Sequence, residues 1–324
     1  MSAEDEAPIS TEAPSPSVVA EELHVVPRVE ALAFVDALFG SPEEWRSPLI
    51  RYRLSSDFQS DWKEEVGNWL KMAERLGFLE PLLERLLKRT KRGTRSTGVD
   101  PNDRRHNELV AELAPAMVAY YLVGTGWSFK RWEPITGGDT DVDLELEAPG
   151  GQPAHVQVKA PDQPGVVANY RRVDGENDQR VLTAVLNAAE QLPRTGSAVN
   201  LIAVCANRTW PVSGDPGFLV TALIGSTIQW GSVVSLPRSR VGRFYGADWA
   251  HVAGVVMLDY LRGIDVFKYP CTVLLNPMAI RPASADWFPR ARVCQFDGGA
   301  FRWIRGEPGD AHTLPDGTKL DEGA

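Results

Sequence analysis

Asp143, Gln157 and Lys159 are the residues of this chain whose types and spacing best suit catalysis. Residues 141–147 read DVDLELE and residues 154–160 read AHVQVKA, so each segment alternates apolar with polar side chains. A period of two is the mark of a half-buried strand. In the first segment Val142, Leu144 and Leu146 share one face, and Asp141, Asp143, Glu145 and Glu147 share the other. In the second, Val156 and Val158 stand opposite Gln157 and Lys159. Residues 148–153 (APGGQP) are turn formers, so the two strands are expected to be adjacent and antiparallel. Any register that keeps the apolar faces together then brings Asp143 beside Gln157 and Lys159.

That trio suits phosphodiester hydrolysis. The reaction needs an activated water, stabilisation of extra negative charge and a neutralised leaving oxygen. A divalent cation held by carboxylates supplies all three, and a lysine can steady the attacking water and the developing charge. Mg²⁺, or Mn²⁺ in its place, asks for a few carboxylates plus waters rather than a full protein cage. Glu108 and Glu112, four residues apart in an upstream helical run, offer a further carboxylate on one helix face.

The elements that must position these residues follow from the flanking sequence. A helix is expected from Asp100-Pro101 onward, with Leu109, Leu113, Met117 and Tyr120 on its apolar face, a kink at Pro115 and an end at Gly124 and Gly126. Residues 127–132 (WSFKRW) alternate like a strand. Residues 177–192 carry an amphipathic helical pattern, and residues 199–206 (VNLIAVCA) read as a buried strand. Further on, a helix is expected near residues 218–230, with strands at residues 252–258 and 271–275. The order helix, strand, strand, helix, strand over residues 100–207 resembles the core of the PD-(D/E)XK, or restriction-endonuclease-like, nuclease family. The quoted segments HNELVAEL, DVDLELE, HVQVK and VNLIAVCA carry the resemblance.

The resemblance implies an α/β fold with a central mixed sheet flanked by helices. It implies a Mg²⁺- or Mn²⁺-dependent endonuclease or exonuclease acting on nucleic acid, DNA ahead of RNA. The family's strand aspartate maps onto Asp143, with Asp141 as second choice. Its helical glutamate maps onto Glu112 or Glu108. Its X-K element maps onto Gln157 and Lys159, where Gln157 replaces the usual acidic residue, as in the branch resembling Mrr-type enzymes. Asp143, Gln157, Glu112 and Asp141 would form the metal shell, and Lys159 would steady the water. Two other readings stand beside this one. A catalytically degenerate core would bind nucleic acid or act as a scaffold. A nucleotidyltransferase would use Asp141 and Asp143 as its paired aspartates. The plain alternative is that an acidic strand face is the wet side of a sheet.

The composition sets the surroundings. The net charge is −9, which does not suit a generic nucleic-acid coat, but residues 1–26 hold Glu4, Asp5, Glu6, Glu12, Glu21 and Glu22 with no Lys or Arg. This Pro- and Ser-rich stretch reads as a disordered acidic tail. Residues 27–98 read as a helical segment ending in a basic linker. Residues 99–324 then form the nuclease-like core with a C-terminal extension. In the linker, Lys91, Arg92 and Arg95, followed by Arg104 and Arg105, are candidates for phosphate contact. The cysteines, Cys205, Cys271 and Cys294, have no metal spacing and suit buried thiols. The absence of a secretory signal or an apolar span points to a cytoplasmic protein with no membrane partner; homo-oligomerisation is left open. Replacing Lys91, Arg92 and Arg95 with Ala is expected to weaken DNA binding. It should also flatten the salt dependence, by roughly 0.9 in log–log slope for each phosphate no longer neutralised. A salt titration with unchanged slope would leave the segment a solvated linker.

Overall fold

A computed structural model of the chain describes residues 26–39, 60–91, 104–134, 142–161, 176–205, 217–224, 226–229, 232–235, 242–258, 271–297 and 300–305. Residues 1–25 of the expected tail, Asp100-Pro101, Asp141, Arg92 and Arg95 lie outside them, as do the side chains of Lys91, Arg104, Arg105 and Glu108. The protein is α/β, with a mixed eight-stranded sheet flanked by helices.

The N-terminal helices are α1 (Arg28–Phe39), α2 (Ser60–Arg75) and α3 (Leu79–Lys91). Gly77, at φ 79°, takes the left-handed conformation that lets the chain leave α2 and enter α3 at once. Val66, Trp69, Leu70 and Ala73 of α2 and Leu82 and Leu86 of α3 are buried. They pack on α4 (Arg104–Gly124), which passes through Pro115 without ending. Val110, Leu113, Ala114, Ala116, Met117, Val118, Ala119 and Leu122 of α4 are all buried. A helix apolar on most of its circumference must be covered on both sides. Here α4 lies between the sheet and the N-terminal helices, within one continuous apolar cluster.

The strands are β1 (Ser128–Trp132), β2 (Leu144–Ala148), β3 (Gln152–Lys159), β4 (Val199–Cys205), β5 (Ser226–Gln229), β6 (Ser232–Ser235), β7 (Gly254–Leu258), β8 (Cys271–Leu275), β9 (Arg292–Asp297) and β10 (Ala300–Arg305). The sheet runs β1-β2-β3-β4-β7-β8-β9-β10, and β5 pairs with β6 apart from it. β2 is antiparallel to both β1 and β3, and β3, β4 and β7 are parallel. Every residue of β4 and β7 is buried, as the centre of a sheet covered on both faces requires. One face carries Leu144, Val156, Leu201 and Val256 against α4. The other carries Ile202, Val204, Val255 and Met257 against α5 (Glu176–Gln191) and α6 (Gly217–Ile224).

The expected pair of strands, the long helix before them and the helix and buried strand after them are all present. One expectation fails. The helix expected near residues 218–230 stops at Ile224, and β5 follows. The β9–β10 hairpin lies beyond anything expected from the sequence. Cys205, Cys271 and Cys294 are buried thiols, and burial pushes that of Cys294 up to about 12. Among the described residues, no helix is long and apolar enough to cross a membrane.

A close helix approach occurs at Gly67 of α2, where a Cβ would lie 2.4 Å from the Ala31 carbonyl oxygen of α1. Gly67→Ala is expected to destabilise the protein by about 1–2 kcal/mol, because the overpacking cost outweighs the gain in helix propensity. Urea denaturation checks this, and an unchanged midpoint would show that α1 yields freely.

Candidate functional site

The register of β2 on β3 pairs Leu144 with Val156, Glu145 with His155 and Leu146 with Ala154. The apolar side chains therefore share the α4 face, while His155, Gln157 and Lys159 project to the opposite one. Two of the acidic residues on this wet side have local partners. Glu145 pairs with Arg131 at 2.8 Å and Glu147 with Lys130 at 2.9 Å, both across to β1. The plain reading of an acidic strand face holds for these two. Burial lowers the pKa of His155, opposite Glu145, against the opposing pull of Glu145 and of a hydrogen bond with Asn200.

Asp143 behaves differently. It stands just before β2, where the ladder with β3 stops, and its backbone carbonyl accepts from Glu133 N–H at 2.8 Å. Its carboxylate oxygen Oδ2 accepts from the backbone N–H of Val158 and from Gln157 Nε2, each at 2.6 Å. The side chain thus occupies the end of the strand pair and satisfies a donor the shortened ladder leaves over. Burial raises the Asp143 pKa. The Val158 hydrogen bond and the charges of Lys159 and Arg85 oppose the shift, and the charge of Glu112 adds to it.

Gln157 is 3 % exposed, and its Oε1 has no hydrogen-bond partner among the described residues. Lys159 is half-buried, and its Nζ donates to Gln191 Oε1 at 2.5 Å at the end of α5. Burial lowers the Lys159 pKa, and the charge of Asp143 opposes that shift. Glu112, 4 % exposed on α4, accepts from Arg85 Nε at 3.0 Å. Arg85, on α3, also pairs with Glu133 and lies 5.3 Å from the Trp132 ring centroid.

Asp143, Gln157 and Lys159 are therefore brought together, with Glu112 inside the same electrostatic neighbourhood. Arg85, Glu133 and Gln191 join them without any mark in the sequence. Only the pairing of distant elements could have pointed to them. No protein-family model matches the chain, and no curated protein or solved structure matches it significantly.

The donor set can be tested against a metal ion directly. Among the described residues, no group of three or more His, Cys, Asp and Glu side chains is placed to hold one. Mg²⁺ asks for less, namely one or two carboxylates with waters. Asp143, beside the unpartnered Oε1 of buried Gln157, offers two hard oxygen donors of the right kind. These residues fit.

The raised pKa of Asp143 has a stability consequence. The folded state keeps this proton above the pH at which the unfolded chain releases it. Stability contributed here is therefore lost as pH rises from the ordinary carboxylate range through the folded pKa. Asp143→Asn removes the charge and keeps the acceptor for Val158, and its amide can donate to Gln157 Oε1. The variant should melt higher than the parent near neutral pH, by roughly 2–4 °C per kcal/mol gained. The gap should close as pH falls into the carboxylate range. Thermal melts across pH check this; a variant less stable near neutral pH would show that the Val158 hydrogen bond and the charges of Lys159 and Arg85 outweigh the desolvation of Asp143.

Proposed function

We propose that the chain is a metal-dependent nuclease-like protein with a restriction-endonuclease-like core, hydrolysing phosphodiester bonds in nucleic acid, DNA ahead of RNA. The observation that carries this reading is the meeting of Asp143, Gln157 and Lys159 at one end of the β2–β3 pair. Asp143 and Gln157 would hold Mg²⁺ or Mn²⁺, with Glu112 as the further carboxylate. The bound cation supplies positive charge that favours hydroxide over water and offsets charge on the phosphoryl oxygens.

The protein's own groups do the rest. Lys159 faces the same space as Asp143, and its lowered pKa marks a cation stripped of part of its hydration. Such a donor interacts strongly with charge developing on a phosphoryl oxygen. Asp143 holds the Val158 backbone N–H and the Gln157 side chain at the strand end, which keeps the trio together. In the reaction a water oxygen bonds to phosphorus, the bond to the leaving oxygen breaks, and the water's proton is passed on as the leaving oxygen gains one.

A second reading has its own support. Glu112 and Glu133 are both engaged by Arg85, which favours a catalytically degenerate core that binds nucleic acid or a partner without cutting. The nucleotidyltransferase alternative depends on Asp141, outside the described residues, and nothing in the site favours it.

Cleavage of single- and double-stranded DNA and RNA with Mg²⁺ or Mn²⁺ separates the two. Lys159→Met keeps the aliphatic stem and removes the charge. It is expected to lower cleavage about 10²-fold or more, the scale seen when one such donor is lost. Binding should change little, since one phosphate contact among many is a small part of affinity. Parental cleavage that survives Lys159→Met would sink the assigned site. Absence of both cleavage and metal binding in the parent would favour the degenerate reading.

A further inference from the structure

Arg85 reaches the candidate site from a helix well outside the core strands. Its Nε donates to Glu112 at 3.0 Å, and its Nη1 pairs with Glu133. Glu112 is 4 % exposed and Arg85 37 %, so a cation reaches inward from the surface to neutralise a buried carboxylate. The charges of both Arg85 and Glu112 act on Asp143. Beside Asp143, Gln157 is almost wholly buried and leaves Oε1 without a partner among the described residues. The neighbourhood thus holds carboxylates, a spare amide oxygen and one arginine bridging two acids.

We propose that Arg85 is the resident counter-cation of this acidic site, and that a divalent metal ion displaces it from Glu112 on binding. The inference rests on the metal-site reading above and adds a competition to it. A charged carboxylate buried without a cation is costly, and at Glu112 the Arg85 guanidinium offsets that cost when no metal does. Arg85 is suited to the exchange because Glu133, itself 37 % exposed, lets it keep one ion pair after giving up Glu112. If Arg85 instead braced Glu112 as a ligand, its removal would weaken metal binding. The two roles predict opposite signs.

The test titrates Mn²⁺ alone into the full chain by calorimetry, for the parent, Arg85→Gln, Arg85→Lys and Asp143→Asn, with circular dichroism to follow folding. Arg85→Gln is expected to tighten Mn²⁺ binding by about tenfold or more, the order expected when a unit positive charge is removed near a divalent ion in a part-buried site. Arg85→Lys should stay near the parent, and Asp143→Asn should abolish binding. Should Arg85→Gln be unfolded without metal, refolding on addition of Mn²⁺ supports the exchange, and failure to refold overturns it. Unchanged or weaker binding in Arg85→Gln, still abolished in Asp143→Asn, overturns the role of Arg85 and leaves the metal site standing. No Mn²⁺ binding in any form, or binding indifferent to Asp143→Asn, overturns both.

Discussion

The pairing of Leu144 with Val156 determines where the charged groups of this protein lie. Strand side chains alternate with a period of two, so a slip of one residue would drive Asp143 and Glu145 into the apolar layer under α4 and expose Leu144 and Leu146. Burial of that apolar face holds the register against such a slip. Once it is held, β2 begins pairing at Leu144, and Asp143 is the first residue beyond the ladder. Its carboxylate then takes the Val158 N–H that the missing rung leaves over. A local need for hydrogen bonding thus places a carboxylate where it also meets Gln157 and Lys159.

That placement has an electrostatic cost. Asp143 and Lys159 are both shifted toward their neutral forms by burial, and each partly restores the charge of the other. Glu112, buried on α4, is met by Arg85. A structural ion network perturbs pKa values too, so perturbation alone decides nothing. What distinguishes this end of the sheet is the contrast with Glu145 and Glu147 further along the same strand. Those carboxylates meet Arg131 and Lys130 in ordinary cross-strand pairs near the surface. Asp143 has no such direct pair among the described residues, and its neighbour Gln157 keeps an acceptor in reserve.

The strands around this site were legible because alternation of apolar and polar residues is a strong local signal. The same holds for α4, where Leu109, Leu113, Met117 and Tyr120 recur at helical spacing, and for β4, whose unbroken apolar stretch reads as a buried central strand. Arg85 was not legible. In the run LLERLLK it looks like a wet residue on an amphipathic helix, and only tertiary packing turns it toward Glu112. Glu133 sits just past the end of β1, where no periodicity marks it. The misread helix near residues 218–230 has a physical reason as well. Phe218, Leu219, Val220, Leu223 and Ile224 suit a buried helix, but Thr227, Ile228, Val233 and Val234 are β-branched and pack better on a pleated surface.

Glu112 and Gln157 come from opposite sides of the sheet. α4 covers one face, while Gln157 projects to the face that α5 covers. Within a sheet the backbone separates the two faces, so side chains rooted on opposite sides can approach one another only past a strand end. Glu133 after β1, Asp143 before β2 and Lys159 at the close of β3 all fall at the same edge, because β2 is antiparallel to both neighbours. The parallel strands β4 and β7 also end there, at Cys205 and Leu258. Open α/β sheets bind ligands outside the carboxyl ends of their parallel strands. In this chain the same edge is where helices of both layers contribute polar groups: Arg85 and Glu112 from one side, Gln191 from the other. The convergence therefore follows from the strand directions and from where the β2 ladder stops.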